Sequence, residues 1–267
     1  MLEMLSIAAD FQEWFTPLGL DTCDRVAHRF MPHLPKDGSG VQVERRVLVA
    51  PGKNELRIFF KIYRHASPSW RFWNRPSKAR REYENYSALS RLGIRCPRRV
   101  VCGEKRTFLG RLRYAFIATE AVEGARTLAE LLGPESRARE EAVPREIRSH
   151  LVAELARMTR VIHQAGFFHN DLVWRNILVS EMTSGSPLIW WIDCPRGRFV
   201  RCHWRRSRLR VKDLAALDKS ASLYCTRSER LAFLLRYLER NGADDEVRRW
   251  ARAIQEYRKK RWPDDWH

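Results

Sequence analysis

The most informative stretch of the chain is His169-Asn170-Asp171-Leu172-Val173-Trp174-Arg175-Asn176. It holds one carboxylate, Asp171, and five residues later one carboxamide, Asn176. On a short loop, the carboxylate can be aimed at a substrate hydroxyl and the carboxamide at a metal ion, and this pairing is used in phosphoryl transfer. The spacing therefore predicts a catalytic loop.

Two short strands are predicted directly after this loop. Ile177 to Val179 is apolar, a hydrophilic turn follows, and Leu188 to Ile192 is apolar again and precedes Asp193. A hairpin returns its second strand to the end where the first began, so Asp193 is expected beside Asn176. The order resembles the H-x-D-L-x-x-x-N loop and strand-borne Asp of the protein-kinase-like fold. Each residue alone has an ordinary explanation, such as a turn cap or a core histidine, and the ordered set carries the prediction.

The composition indicates a globular protein with a large positive charge. The chain has 267 residues, 44% of them hydrophobic, and a formal net charge of +18. This length allows one large domain or two lobes that each have a core. The charge predicts attraction to polyanions, such as nucleic acid, an anionic membrane face or an acidic glycolipid. The alternative is that the charge only keeps the protein soluble.

Cysteine spacing and hydropathy exclude several other classes of protein. The six cysteines are scattered and form no C-x-x-C pair, so we expect reduced thiols without a structural zinc site or disulfide framework. The N-terminus has no basic region before an apolar run, and no stretch reaches transmembrane length. We therefore expect a protein without a signal peptide or a membrane span, in the cytoplasm.

The first part of the chain predicts an antiparallel sheet. An amphipathic helix is expected within residues 1–15, and strands are expected at Arg25 to Phe30, Val41 to Ala50 and Glu55 to Tyr63. The turn Asp37-Gly38-Ser39-Gly40 could cover nucleotide phosphates with its amides. It lacks the full G-x-G-x-x-G pattern, so a plain hairpin is favoured.

A lysine on the last of these strands is the candidate for phosphate binding. The period of two in Leu56 to Ile62 places Lys61 and Phe59 on the face opposite to Ile58, Phe60 and Ile62. A lysine in such a strand is usually a snorkelling edge residue. Its position before a helix is, however, where protein kinases keep the lysine that contacts the nucleotide phosphates.

The following helix, predicted from Ser77 to Leu92, supplies a possible partner for Lys61. Glu82 lies on the margin of the buried stripe of this helix, one turn before Tyr86. It can reach Lys61, as the corresponding glutamate does in kinases; the alternative is a solvated side chain. Glu84 is the competing acid, but it lies further round the helix.

An extended segment after the sheet is the predicted hinge. Strands are expected at residues 97–102 and 113–119, and Glu120 to Gly124 then continues as a linker whose backbone could bind an adenine edge. The second half of the chain is mainly helical in pattern. Helices are predicted at Leu128 to Leu132, Arg145 to His163, Thr226 onwards with Leu231, Leu235 and Leu238 inward, and around Val247 to Tyr257.

Two basic regions are candidates for anion binding. Arg196 to Lys212 contains eight Arg or Lys and no acid, which indicates either a solvated face or a site for an anionic acceptor. Arg64 to Arg81 mixes six cations with Trp70, Phe72 and Trp73. Indoles among cations suit a membrane interface, and they could also stack on single-stranded nucleic acid.

Taken together, these motifs resemble those of the lipopolysaccharide kinase family, the Kdo/WaaP and InaA-like group of protein-kinase relatives. The motifs are Lys61, Glu82, the loop from His169 to Asn176, Asp193 and Lys212-Asp213-Leu214. The resemblance implies an α+β, two-lobed protein-kinase-like fold, with an antiparallel β-sheet N-lobe that carries helix C and a mainly α-helical C-lobe. We place the nucleotide-binding N-lobe at residues 1–121 and the catalytic and acceptor-binding C-lobe at 122–267.

The resemblance also implies an activity. It predicts ATP-dependent phosphorylation of a heptose or Kdo hydroxyl in the lipopolysaccharide inner core, with Mg²⁺, at the inner face of a bacterial inner membrane. Lipopolysaccharide and the anionic membrane surface are the expected partners, and nucleic acid is not. Asp213 is expected to open a helix and to brace the catalytic loop, although an acid near a helix N-terminus has a simpler explanation.

The family's functional residues can be assigned to positions of this chain. Asp171 would act as the base, and Arg175 would supply the positive charge that serine/threonine kinases have at the position of Val173. Lys61, held by Glu82, would contact the phosphates, and Asn176 and Asp193 would hold Mg²⁺. The adenine would lie against the backbone from Glu120 to Val122, with ATP bound between the lobes.

Two alternatives stay open at this point. One is a kinase of another acceptor, either a protein or a small molecule such as an aminoglycoside or choline. The other is a pseudokinase or a nucleic-acid-binding module, which is suggested by the charge and by Cys194-Pro195 where kinases have Phe-Gly after the metal-binding Asp.

Overall fold

The computed structural model describes residues 1–31, 40–133, 143–182 and 185–263. It divides into two compact units. The first unit comprises Met1–Ala88 and Pro97–Val122, and the second comprises Leu89–Cys96 and Glu123–His267.

The first unit is built on one antiparallel sheet of five strands, in the order β1-β4-β5-β3-β2. The strands are β1 (Leu2–Ile7), β2 (Gly40–Leu48), β3 (Leu56–Ser69), β4 (Arg99–Arg106) and β5 (Leu112–Glu120). The predicted antiparallel sheet is therefore present. Residues 37–39 of the turn considered above lie outside the described residues.

Strand β3 lies between β2 and β5 and is held in register by its apolar side. Ile58, Phe60 and Ile62 are buried, as their period of two predicts. The ring of Phe60 lies 5.0 Å from that of Phe30 and 5.2 Å from that of Phe116. Because a shift of one residue would expose all three apolar side chains, this packing fixes the residues on the opposite face.

The predicted N-terminal helix is wrong for its first half. Leu2–Ile7 forms β1, which pairs antiparallel with β4 from Leu2↔Arg106 to Ile7↔Val101. A short helix, α1, follows only at Gln12–Phe15, between two 3₁₀ turns. Strand β1 has its partner about a hundred residues later, so the pairing depends on a non-local contact that local periodicity does not reveal.

The strand predicted at Arg25 to Phe30 is also wrong, because this segment belongs to a helix. Helix α2 spans Cys23–Phe30, and the Thr22 side chain accepts a hydrogen bond from the N–H of Arg25 as its N-cap. Val26 and Phe30, four residues apart, are both buried on one face. Helix α3, Lys78–Arg91, matches its prediction and ends before Gly93, whose φ of +71° suits glycine.

The second unit is mainly helical and holds two small sheets. Strands β6, β8 and β9 form one sheet, and β7 and β10 form the other. Its elements are β6 (Ala125–Thr127), α4 (Leu128–Leu132), α5 (Arg145–Gln164), β7 (Phe167–Phe168), β8 (Ile177–Met182), β9 (Gly185–Trp191), β10 (Arg198–Phe199), α6 (His203–Tyr224), α7 (Arg227–Leu238) and α8 (Asp245–Arg261).

Helices α5 to α8 enclose the core of this unit, which includes Ala156, Leu214 and Ile254. Helix α7 begins with the predicted capping box at Thr226. Its buried residues are Leu234 and Tyr237, whereas Leu231, expected to face inward, is 41% exposed.

A further correction concerns helix α6. It begins at His203, so Asp213 lies in the middle of this helix and does not open it. Five of the eight cations in the basic run from Arg196 to Lys212 are therefore helical. In the described part of the chain, no helix combines the length and the apolarity that crossing a membrane requires.

Candidate active site

The loop from His169 to Asn176 follows β7 and ends in a 3₁₀ turn, Trp174–Asn176, before β8. Asn170 adopts the left-handed conformation, with a φ of +64°, which asparagine tolerates better than most residues. Asn176 is buried, and its Nδ2 donates a hydrogen bond of 2.9 Å to the backbone oxygen of Asp171. Since this bond uses the amide nitrogen, the Oδ1 of Asn176 is the atom that can bind a cation.

Asp193 lies beside this loop, as the predicted hairpin requires. The N–H of Ile192 donates to the backbone oxygen of Asn176 at 3.0 Å, and Asp193 follows with a φ of +54°. The carbonyl of Ile192 is 3.3 Å from Nε2 of His169. The structure thus brings Asp171, Asn176 and Asp193 together on neighbouring segments of the second unit.

Asp213 braces the loop from the middle of α6. It is 1% exposed, and its two carboxylate oxygens accept the N–H groups of His169 and Asn170, each at 2.9 Å. Oδ2 also lies 3.4 Å from Nε2 of His163. A charged acceptor bound to two backbone donors fixes the chain immediately before Asp171.

His169 serves as a neutral packing residue in this site. Burial lowers the pKa of its imidazole, although Asp213, Asp171 and Asp193 oppose the shift. Its ring meets that of Trp191 edge to face at 5.9 Å. Within the described residues its Nδ1 has no hydrogen-bond partner.

Lys212 belongs to the Lys212-Asp213-Leu214 motif, but the sequence analysis assigned this cation no role of its own in the site. Its Nζ donates to Oδ1 of Asn170 at 3.1 Å. Burial lowers its pKa, Arg196 adds to this effect, and Asp213 and Asp171 oppose it. Arg175, the cation that the sequence predicted for this role, is exposed on the 3₁₀ turn. The signal that could have identified Lys212 is its position next to Asp213.

The first unit contains the predicted pair of Lys61 and Glu82. Nζ of Lys61 lies 3.2 Å from Oε2 of Glu82, which is 3% exposed. Two hydroxyl groups also donate to this carboxylate, from Tyr63 at 3.0 Å and from Tyr86 at 3.1 Å. These tyrosines were not predicted to take part, although Tyr86 lies four residues after Glu82 and hence on the same helix face. Glu84 is exposed and pairs with Arg80.

The predicted hinge segment begins where β5 ends. The N–H of Glu120 donates to Arg98 and that of Ala121 to Arg57, each at 2.8 Å. The Glu120 side chain is 3.4 Å from Arg98. For the N–H of Val122, the last residue of this unit, no partner is found among the described residues.

The basic run of the second unit divides into structural and exposed residues. Arg206 donates to the carbonyl of Val200 at 2.7 Å and is half-buried. Cations of the exposed group are Arg196, Arg198, Arg201, Arg205 and Arg208. Cys194, where kinases have phenylalanine, is fully buried, so it fills a core position.

A cavity of about 600 Å³ lies within the second unit, apart from these residues. Its lining is largely apolar and includes Leu151, Leu155 and Leu217. Asp218 lies at its wall and accepts hydrogen bonds from Arg230 and Arg258 at 2.7 and 2.6 Å. Neither Asp171 nor the two candidate metal ligands line it.

The braced loop carries Asp171 and Asn176, and Asp193 lies beside it. Together with a lysine on the five-stranded sheet that pairs with a glutamate of helix α3, these features define a protein-kinase-like protein. The chain belongs to the lipopolysaccharide kinase (Kdo/WaaP) family, whose model matches residues 60–243. A search of the curated proteins gave no match.

Three of the solved structures that are similar to this chain are WaaP, Rio2 kinase and the PknI kinase domain. WaaP in complex with acyl carrier protein matches with a TM-score of 0.66 and 23% identity, over 99% of this chain and all of that one. Rio2 kinase from Chaetomium thermophilum has a TM-score of 0.45 and 15% identity, over 89% and 76% of the two chains. The PknI kinase domain of Mycobacterium tuberculosis has 0.43 and 17%, over 82% and 92%.

Proposed function

We propose that this chain transfers the γ-phosphoryl group of ATP to a heptose or Kdo hydroxyl of the lipopolysaccharide inner core. The observation that supports the proposal is the loop of the second unit, where Asp213 accepts the N–H groups of His169 and Asn170 just before Asp171. Separate hydrogen bonds join Asn176 to the backbone of Asp171 and to Ile192, the residue before Asp193. Membership of the family supports the acceptor class.

Each residue would have a distinct role in the transfer. Asp171 orients the sugar hydroxyl and accepts its proton as the bond to phosphorus forms. Lys61, kept in place by Glu82, binds the phosphates of ATP. The backbone from Glu120 to Val122 binds the adenine, for which the N–H of Val122 is the available donor.

The oxygen atoms of Asn176 and Asp193 fit Mg²⁺, which prefers hard oxygen ligands and keeps several waters. When bound, the ion would neutralise charge on the phosphates. Within the described residues no group of three His, Cys, Asp or Glu could form a metal site. A site with one or two protein ligands plus phosphate oxygens does not need one.

Two substitutions test these assignments with labelled ATP and lipopolysaccharide that lacks core phosphate. We expect Asp171→Asn to lower kcat by about 10²–10⁴-fold while ATP binding is retained. Asp193→Asn should instead weaken Mg²⁺-dependent ATP binding. The exposed Asp245, which pairs with Arg248, provides the control Asp245→Asn. Near-normal turnover of Asp171→Asn would show that the base is wrongly assigned.

The cation that neutralises the transferred group can be identified by comparing two residues. Arg175 is the prediction from the sequence, and Lys212 contacts the loop directly. We expect kcat to fall in Lys212→Met or in Arg175→Met, with the larger loss marking the residue that acts on the phosphoryl group. Equal, near-normal rates would exclude both.

The acceptor is proposed to be anionic because five arginines of the run from Arg196 to Arg208 are exposed in the second unit. A panel of core oligosaccharide, peptide and aminoglycoside tests this. Preference for the aminoglycoside or the peptide would favour a kinase of another acceptor. Tight, salt-sensitive RNA binding without stabilisation by ATP analogues would favour a nucleic-acid-binding module.

An acyl carrier protein is a second proposed partner, as in the WaaP complex. The observation in this chain is the apolar cavity of about 600 Å³, which has the size of a small-molecule site and could hold an acyl chain. Thermal unfolding with acylated and unacylated carrier protein tests this, and we expect stabilisation by the acylated form alone. An equal response to both forms would contradict a role for the cavity.

Finally, we propose that the protein works in the cytoplasm, attached peripherally to the inner membrane where its acceptor lies. The support is the charge of +18 and the mixture of indoles and cations between Arg64 and Arg81. Recovery of activity in the membrane fraction at low salt, and its release at high salt, would agree with this location.

A further inference from the structure

The turn between β4 and β5 presents two large apolar side chains to solvent. Phe108 is 80% exposed and Leu109 is 69% exposed. The turn itself is well defined, because the N–H of Gly110 donates to Thr107 and that of Thr107 to Arg111, both at 2.9 Å. Gly110 has a φ of +76°, which glycine adopts without strain. The exposure is thus a property of a hydrogen-bonded turn.

Two tryptophans after β3 extend this apolar surface. Trp70 and Trp73 are 56% and 52% exposed, and their rings meet edge to face at 5.6 Å. The indole of Trp73 packs on Gly110, where an added Cβ would lie 3.2 Å from its Cδ1. The guanidinium of Arg111 lies 4.8 Å over the ring of Trp70. We call the exposed group of Trp70, Trp73, Phe108 and Leu109 the Trp-turn surface.

A buried ion pair holds the two segments of this surface together. Arg106 donates to the carbonyls of Phe72 and Arg75, both at 2.8 Å, and to that of Gly110 at 3.1 Å. Its charge is balanced by Glu104, which is 3% exposed and lies 2.8 Å away. These hydrogen bonds hold the apolar side chains in place without covering them. An exposed apolar patch that is fixed in this way indicates a binding partner.

The surrounding charge identifies the partner as anionic. Both tryptophans lie in the segment from Arg64 to Arg81, which has six Arg or Lys and no acid in its sequence, although Arg80 pairs with Glu84. Arg111 lies at the turn, and Arg113 follows on β5. Interfacial membrane contacts have this arrangement: apolar side chains at the tip, indoles behind them and cations around them. Single-stranded RNA fits less well, because Leu109 offers no ring for stacking and Arg111 covers a face of Trp70.

We propose that the Trp-turn surface is the site of the peripheral membrane attachment proposed above, and that it binds an anionic bilayer. Phe108 and Leu109 enter the acyl region, the indoles of Trp70 and Trp73 lie at the level of the headgroups, and the cations contact lipid phosphates. The surface lies in the first unit and contains none of the residues proposed for phosphoryl transfer. Attachment is therefore a property separate from the reaction.

The test is co-sedimentation of the full chain with vesicles of phosphatidylglycerol and phosphatidylethanolamine, without nucleotide or acceptor. Phe108→Ser/Leu109→Ser should lower the partition coefficient about tenfold or more. The matched control is Val43→Ser/Val47→Ser, which removes two exposed apolar side chains from β2 of the same unit. We expect the control to bind as the unchanged protein does. Equal partitioning of both variants would overturn the proposal.

Three further measurements decide whether the surface binds an anionic bilayer, a neutral bilayer or nucleic acid. Brominated lipid should quench tryptophan fluorescence, and Trp70→Phe/Trp73→Phe should remove most of that quenching. Equal binding to pure phosphatidylcholine vesicles would overturn the anionic part of the proposal. Quenching by single-stranded RNA in place of vesicles would assign the surface to nucleic acid. Because none of these assays involves catalysis, their failure is distinguishable from failure of the proposed kinase activity.

Discussion

Replacing Asp213 by asparagine tests the brace of the catalytic loop with a minimal change of shape. In the structure, one oxygen of Asp213 accepts the N–H of His169 and the other accepts that of Asn170. An asparagine can accept only one of these hydrogen bonds, because it presents an NH₂ group to the second donor. One backbone N–H in the loop from His169 to Asn176 then loses its partner in a buried environment.

The expected cost follows from these contacts. A hydrogen bond to a charged group contributes about 1.5–3 kcal/mol, and a buried donor without a partner costs about 1–3 kcal/mol. Because the two quantities overlap, we expect Asp213→Asn to lower the free energy of unfolding by about 3 kcal/mol. At about 2–4 °C per kcal/mol for a domain of this size, Tm should fall by about 6–12 °C.

The assay pairs thermal unfolding with steady-state kinetics. A displacement of about 1 Å at the reacting group can cost about 100-fold in rate, so kcat should fall by about that factor, whereas KM for ATP should change less. Asp245→Asn, at an exposed site with a single partner, should leave both quantities unchanged. If the Tm of Asp213→Asn lay within about 2 °C of that of the unchanged protein, well short of the expected fall of about 6–12 °C, Asp213 would not be the brace.

Three further predictions test how the burial or exposure of single side chains affects their chemistry. Burial keeps the pKa of His169 below about 6.5, its unfolded value, so below pH 6.5 the unfolded chain binds more protons than the folded one. The free energy of unfolding should therefore fall by about 1.4 kcal/mol per pH unit below 6.5. Urea titrations at pH 7.5 and 5.5 should show a smaller difference in this free energy for His169→Gln than for the unchanged protein. At pH 8 a chromogenic disulfide reagent should react in a fast phase with Cys202, which is exposed. It should not react in this phase with Cys23, because burial raises the pKa of that thiol to about 12. Cys202→Ser should therefore abolish the fast phase of the reaction. Tyr86→Phe should lower the free energy of unfolding in urea by about 1.5–3 kcal/mol, because it removes a hydrogen bond to the buried carboxylate of Glu82. An equal loss of stability in Tyr83→Phe would contradict this explanation.

The sequence predicted the elements whose pattern is local and failed where a partner is distant. Strand β3 and helix α5 were predicted because the spacing of apolar residues within each element indicates which face is buried. Strand β1 was missed because its evidence is β4, far along the chain. Helix α2 was misread over a window of six residues, which is too short to separate the periods, although Thr22 offered a capping signal.

In the candidate site, the positions of Asp171, Asn176 and Asp193 were more predictable than the contacts that support the site. Asp171, Asn176 and Asp193 follow from spacing, because the loop and hairpin leave little freedom. The hydroxyls of Tyr63 and Tyr86 that hold Glu82 do not, since tyrosines at these positions are equally consistent with apolar packing. Support of this kind depends on side-chain direction in three dimensions.

The two kinds of proposed functional residue differ in burial, and this difference decides what their variants should do. Glu82, Asn176 and Asp213 are buried and hydrogen-bonded, so changing them should lower stability together with kcat. Substitution should change stability little at solvent-exposed positions, which include Phe108, Leu109 and the exposed arginines from Arg196 to Arg208. Their variants should keep Tm while membrane partitioning or acceptor KM changes. Measuring Tm beside each binding or kinetic constant therefore separates the residues that build the site from those that select what reaches it.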